Sequence, residues 1–147
     1  YQSGFPVTVQ QAANNSNLLG STQRPNVVSG INPQLTTDLS SSYDASCGCI
    51  RWLNPAAWSQ AAPFTFGNAP RTDGRVRTPP RRNVDLALQK SLPLTGRTVS
   101  VRAELINVFN FVDYLGPDIA FGDATFGQIR SAAGFSRMLQ LSLQAKW

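Results

Sequence analysis

The last eleven residues, Arg137 to Trp147, alternate without a break. Leu139, Leu141, Leu143, Ala145 and Trp147 fall on one face; Met138, Gln140, Ser142, Gln144 and Lys146 fall on the other. A period of two is that of a β-strand, whereas a helix repeats its apolar positions every three or four residues. The run also has the length, roughly 9–11 residues, that a tilted strand needs to cross a bilayer. Two settings fit it. One is the C-terminal strand of a soluble sandwich, with Trp147 at the rim. The other is the closing strand of a transmembrane barrel, apolar side to lipid and polar side to the lumen.

Composition narrows the choice. Of the 147 residues, 41% are hydrophobic and only 14% charged, against about 25% charged in ordinary soluble domains. The formal net charge is +5, mostly arginine. No apolar run reaches the length of about eighteen residues that a membrane helix needs. The chain holds no histidine, which excludes Ser-His-Asp and Cys-His sites. It has no Walker-type phosphate loop and no H-E-x-x-H. Asp85, Glu104, Asp113, Asp118 and Asp123 show no spacing that singles out an acid/base pair. The expectation is a protein that is not an enzyme, with no cofactor and no metal site. Cys47 and Cys49, the only cysteines, form one pair without the second that a metal site needs. They are left as a loop disulfide or two free thiols.

In chain order, Tyr1-Gln2-Ser3-Gly4-Phe5 reads as the inside of a strand rather than a signal peptide, which suggests part of something longer. Phe5, Val7 and Val9 alternate with Pro6, Thr8 and Gln10, giving a strand over about 4–10. From 11 to 82 the texture is that of loop, rich in Asn, Ser, Gly and Pro, with short apolar pieces at Val27-Val28 and Ile50 to Leu53. Alternation returns over 83–92 and 98–109, around a tight turn at Pro93-Leu94-Thr95-Gly96. Asn107 lands on the apolar face and Ile106 and Val108 on the polar one, a switch that a bulge near 105–107 would explain. A second loop fills 110–136, with a short strand at 125–130, before the final strand at 137–147. One short turn and two long loops at opposite strand ends is the asymmetry of membrane barrels. Trp147 would then mark the periplasmic interface, and Phe109 and Phe111 the outer one.

Three groups of side chains stand out. Facing parity puts Asp85, Arg102 and Glu104 on the polar, lumen side, predicting a carboxylate cluster around Arg102. Arg71, Arg75, Arg77, Arg81 and Arg82 crowd one loop end. They read as a solvated rim, as candidate contacts to anionic lipid or an anionic ligand, or, weakly, as a nucleic-acid patch, against which the absence of interleaved aromatics argues. Trp52, Trp58, Phe64 and Phe66 read as an aromatic patch, either packing the loop on itself or forming a ligand platform.

Several stretches together resemble the C-terminal end of a TonB-dependent outer-membrane receptor, in particular the large Oar-like branch with an N-terminal carboxypeptidase-regulatory-like domain. They are Gln2-Ser3-Gly4-Phe5-Pro6-Val7-Thr8, Arg24-Pro25-Asn26, Trp52-Leu53-Asn54-Pro55-Ala56-Ala57-Trp58 and Thr65-Phe66-Gly67-Asn68, then Arg102-Ala103-Glu104-Leu105-Ile106-Asn107-Val108-Phe109-Asn110, Phe126-Gly127-Gln128-Ile129 and the final strand. The resemblance implies a Gram-negative outer-membrane location and energised uptake of a scarce solute. It implies as partners outer-membrane lipid, the rest of a barrel with its plug, TonB acting through that plug, and the barrel-assembly machinery reading the C-terminal strand. The Cys47–Cys49 segment departs from the family pattern.

The fold class expected is therefore all-β: antiparallel up-and-down strands of a transmembrane barrel, incomplete in this chain, with long outer loops. Four strands cannot close a barrel, which needs at least about eight. Leu139, Leu141, Leu143 and Trp147 are expected to face lipid. The alternative is a secreted β-rich binding or adhesion module that uses the same loops for recognition.

Overall fold

The computed structural model describes residues 1–17 and 22–147 and divides the chain into two compact units. The first comprises Tyr1–Gln2, Arg81–Asp113 and Ala133–Trp147. The second comprises Ser3–Pro80 and Tyr114–Ala132.

The first unit is built on the alternating stretches. Leu86–Leu94, Arg97–Ile106 and Met138–Lys146 form a three-stranded antiparallel sheet with Arg97–Ile106 in the centre. The hairpin closes on Thr95 and Gly96, with Leu94 opposite Arg97. Gly96 takes a φ of +73°, a left-handed corner that costs glycine nothing. The turn is tighter than the sequence predicts, because Pro93 and Leu94 continue the strand opposite Thr98 and Arg97.

At the other end of the hairpin Leu86 lies opposite Leu105, yet the next main-chain bond runs from Val108 N–H to the Val84 carbonyl, one residue out of step. Asn107, with φ +52°, is the extra residue. An extra residue in one strand reverses the facing of everything beyond it. That is why the alternation breaks there.

The second unit departs from a plain loop. The strand expected over about 4–10 is two pieces, Pro6–Val7 and Gln10–Gln11, with different partners. Pro6–Val7 pairs antiparallel with Asp73–Arg77, and Gln10–Gln11 pairs parallel with Ala120–Phe121. Asn26–Val27 pairs with Trp58–Ser59. Cys49–Arg51 lies between Tyr43–Asp44 and Gln128–Ile129. These pieces enclose a core that includes Val7, Val9, Ile50, Trp52, Leu53, Trp58, Val76, Phe126 and Ile129. The Phe126 ring meets Trp58 and Phe121 edge-on, with centroids 5.4 and 5.3 Å away.

The stretches that carry the resemblance dock on one another here. Gly127 accepts hydrogen bonds from the Trp52 and Leu53 amides at 2.8 and 3.1 Å. A Cβ at Gly127 would lie 2.8 Å from that of Leu53, and its φ is +75°. Gly67 packs where a Cβ would meet the Arg24 carbonyl oxygen at 1.9 Å. Beside it Asn68 Oδ1 accepts the Val27 amide at 2.7 Å, and the Asn68 amide donates to Asn26 Oδ1 at 3.1 Å. The described residues of segments 11–82 and 110–136 thus hold more order than their composition predicts, because very short strands pairing over long separations leave no periodic trace.

Candidate functional site

The sheet separates two chemistries. The strand register stacks Leu86, Leu88 and Leu92 beside Val99, Val101, Ala103 and Leu105, and those beside Leu139, Leu141, Leu143 and Ala145. Every residue of both flanking strands is exposed. Leu141 and Leu143 are 69% and 73% exposed. Lys90 shares this face opposite Val101, and Arg97 shares it at the turn. Trp147 follows the last strand and is almost fully exposed. Burying a leucine side chain is worth about 1.5–3 kcal/mol, so an apolar face this wide demands an apolar surrounding.

The reverse face carries Gln89, Ser91, Ser100, Arg102, Glu104, Gln140, Ser142 and Gln144. Ser91 and Ser100 hydroxyls bond across the hairpin at 2.9 Å. Arg102 pairs with Glu104 two residues on. The cluster of Asp85, Arg102 and Glu104 predicted from parity is corrected to this pair. Gln89 and Ser142, not Asp85, flank Arg102, and Asp85 is four residues before Gln89, about 13 Å along a strand. Asp85 instead accepts the Asn107 amide at 2.8 Å and the Asn83 side-chain amide at 3.1 Å.

Asn107 is the residue that sequence reasoning undervalued. It is buried, at 7% exposure. Its Nδ2 donates to the Phe111 and Phe135 carbonyls at 2.9 Å each, and its Oδ1 accepts the Phe111 amide at 2.9 Å. Its own carbonyl accepts the Asn110 amide at 2.8 Å, and Asn110 Oδ1 accepts the Arg137 amide at 3.1 Å. Asn110 also has a left-handed φ, +54°. Both asparagines of the Asn107-Val108-Phe109-Asn110 stretch thus hold the end of the sheet. The signal was available: asparagine is the residue, after glycine, that best tolerates left-handed backbone.

The arginines do not act as one patch. Arg75 grips Asp73 through Nε and Nη2 at 3.0 and 2.7 Å. That bidentate pair holds the Asp73 carboxyl below its ordinary value and raises the guanidinium. Arg77 Nε donates to the Gly4 carbonyl at 2.9 Å. Arg71 is exposed, and its carbonyl accepts the Thr8 hydroxyl. Arg81 pairs with Asp113 at 3.2 Å, and Arg82 lies 5.9 Å from the Tyr1 ring centroid. Arg71, Arg75 and Arg77 belong to the second unit, and Arg81 and Arg82 to the first.

The four aromatics also divide. Trp52 and Trp58 are core, and Trp52 Nε1 donates to the Arg77 carbonyl at 2.6 Å. Phe64 and Phe66 are 76% and 74% exposed. Cys47 and Cys49 form a disulfide. Next to it Asp44 accepts hydrogen bonds from the Ser46 hydroxyl and amide and from Arg51, which lower its carboxyl to about 2.

Among the described residues no group of His, Cys, Asp and Glu is arranged to hold a metal ion. Among them, too, no helix is long and apolar enough to cross a membrane, which leaves crossing by strands open. No curated protein and no solved structure matches the chain. A family model described as an outer membrane beta barrel domain matches residues 1–140. A sheet with one apolar and one polar face, together with that match over nearly the whole sequence, means that the chain belongs to the outer membrane beta barrel domain family.

Proposed function

We propose that this chain forms part of a TonB-dependent receptor that takes up a scarce solute across the outer membrane. An outer-membrane protein in contact with membrane lipid is what its family membership establishes. The step to a receptor rests on the family-like stretches and on one structural observation. The segments before and between the sheet strands, Ser3–Pro80 and Tyr114–Ala132, form a packed unit with its own apolar core, not slack loop. A rigid structure on barrel connections suits recognition of a solute, because preorganised loops lose less entropy on binding.

In this reading Leu139, Leu141, Leu143 and Trp147 face lipid, while Arg102 and Glu104 line the lumen where a plug would pack. The role is carriage rather than catalysis, in keeping with a chain that has no histidine.

The test is capture of the energy-transducing partner. The protein carrying this chain, solubilised from outer membranes, is passed over immobilised periplasmic domain of TonB. Retention that a TonB-box peptide competes away is the expected result. Failure to bind, with the barrel intact, would leave an outer-membrane barrel of another kind.

A further inference from the structure

We propose that the first unit binds a small planar organic monoanion, an aryl carboxylate, in a cleft at the end of the sheet remote from the Thr95–Gly96 turn. The cleft has a volume of about 400 Å3, within the range of roughly 300–1,000 Å3 of small-molecule sites. Its lining comes entirely from the first unit.

Its charges decide the ligand's charge. Arg81 and Asp113 neutralise each other at 3.2 Å. Arg82 lines the same cleft and has no carboxylate within ion-pair distance among the described residues. It rests 5.9 Å from the Tyr1 ring centroid, which orients the guanidinium without neutralising it. The lining side-chain charges therefore sum to one uncompensated cation, which matches a single carboxylate better than a doubly charged phosphate.

Its walls decide the ligand's body. The Phe111 and Phe135 rings line the cleft and remain exposed, while their main chains are tied to the same buried Asn107. Opposing main-chain bonds of 2.9 Å between Gln2 and Arg81 hold the segment that carries the arginines. Rings and cation are thus held on fixed backbone before any ligand arrives, an arrangement that suits a flat apolar body bearing one planar anion. The inference is independent of the uptake reading, since a barrel without TonB coupling would keep the cleft.

The probe is 2-naphthoate, titrated by calorimetry into the full-length protein in detergent, with neutral 2-naphthylmethanol as the comparison. The acid is expected to bind at least tenfold more tightly than the alcohol. Arg82→Gln should remove that preference, and Phe135→Ala should weaken both ligands. Arg130→Gln, which removes one exposed positive charge outside the cleft, should leave the acid's affinity unchanged. Equal affinity for acid and alcohol, or equal losses in the Arg82 and Arg130 variants, would overturn the proposal. So would an absence of saturable naphthoate binding.

Discussion

At the scale of single residues, the end of the sheet depends on Asn107. A residue there must accept a left-handed φ and satisfy three main-chain groups of two other segments. Alanine does neither. Leaving a buried partner unsatisfied costs about 1–3 kcal/mol, and left-handed backbone in a residue with a Cβ adds about 1–2 kcal/mol. Asn107→Ala is therefore expected to destabilise the sheet by roughly 2–5 kcal/mol, on the sum of those terms. Asn107→Gly relieves the backbone term alone and should recover about 1 kcal/mol of it. Urea titration of the full-length protein folded in lipid vesicles, followed by circular dichroism of its strands, measures both. Two neutral substitutions would mean that the hydrogen bonds are replaced by water. The sequence shows Asn107 only as a break in alternation. Nothing local announces that Phe111 and Phe135 are its partners, because the contact to Phe135 spans 28 residues.

At the scale of elements, the long strands were legible and the short ones were not. Nine or ten residues of near-continuous alternation leave a readable period, whereas the two-residue pairings of Asn26–Val27 and Ala120–Phe121 leave none. Parity was enough to sort Arg102 and Glu104 from Leu139 and Leu141. Register, which parity does not fix, was needed to see that Asp85 lies outside the cluster. The apolar face makes an energetic claim that can be measured. Leu141 sits mid-strand opposite Ala103 with its side chain exposed. If that face meets the bilayer midplane, Leu141→Arg costs about 2–4 kcal/mol, while the same change near a membrane interface costs about 0–1 kcal/mol. Ser142→Arg, one residue on and facing the polar side, should cost far less. Refolding titrations into vesicles would compare the two. Equal costs would mean that the two faces do not see different solvents, and the lipid-facing assignment of Leu139, Leu141 and Leu143 would fail.

At the scale of the molecule, the two units place opposite demands on the solvent. The second buries Trp52, Leu53, Val76 and Ile129 within its own packing, with short strands whose partners lie inside the same unit. Such a core excludes water without help. The first unit has a sheet of three strands, with both outer edges unpaired among the described residues and one face of leucine and valine uncovered. Unpaired strand edges in water invite other chains to add to them, and in lipid each unpaired main-chain group costs several kcal/mol. The same chain in plain buffer should therefore associate through the first unit while the second stays folded. Hydrogen exchange read segment by segment separates the two. Amides around Trp52, Leu53 and Ile129 should be protected in dilute buffer and in detergent alike. The outward-facing amides of the two edge strands, Leu86–Leu94 and Met138–Lys146, should gain protection with concentration in buffer, as chains pair edge to edge. Analytical sedimentation over the same concentrations should show the matching growth in mass. Once detergent covers the apolar face, the mass should fall. A chain that stayed monomeric in buffer at high concentration, with both edge strands fully protected, would show that the sheet closes on itself in water. The lipid-facing role of its leucines would then be excluded.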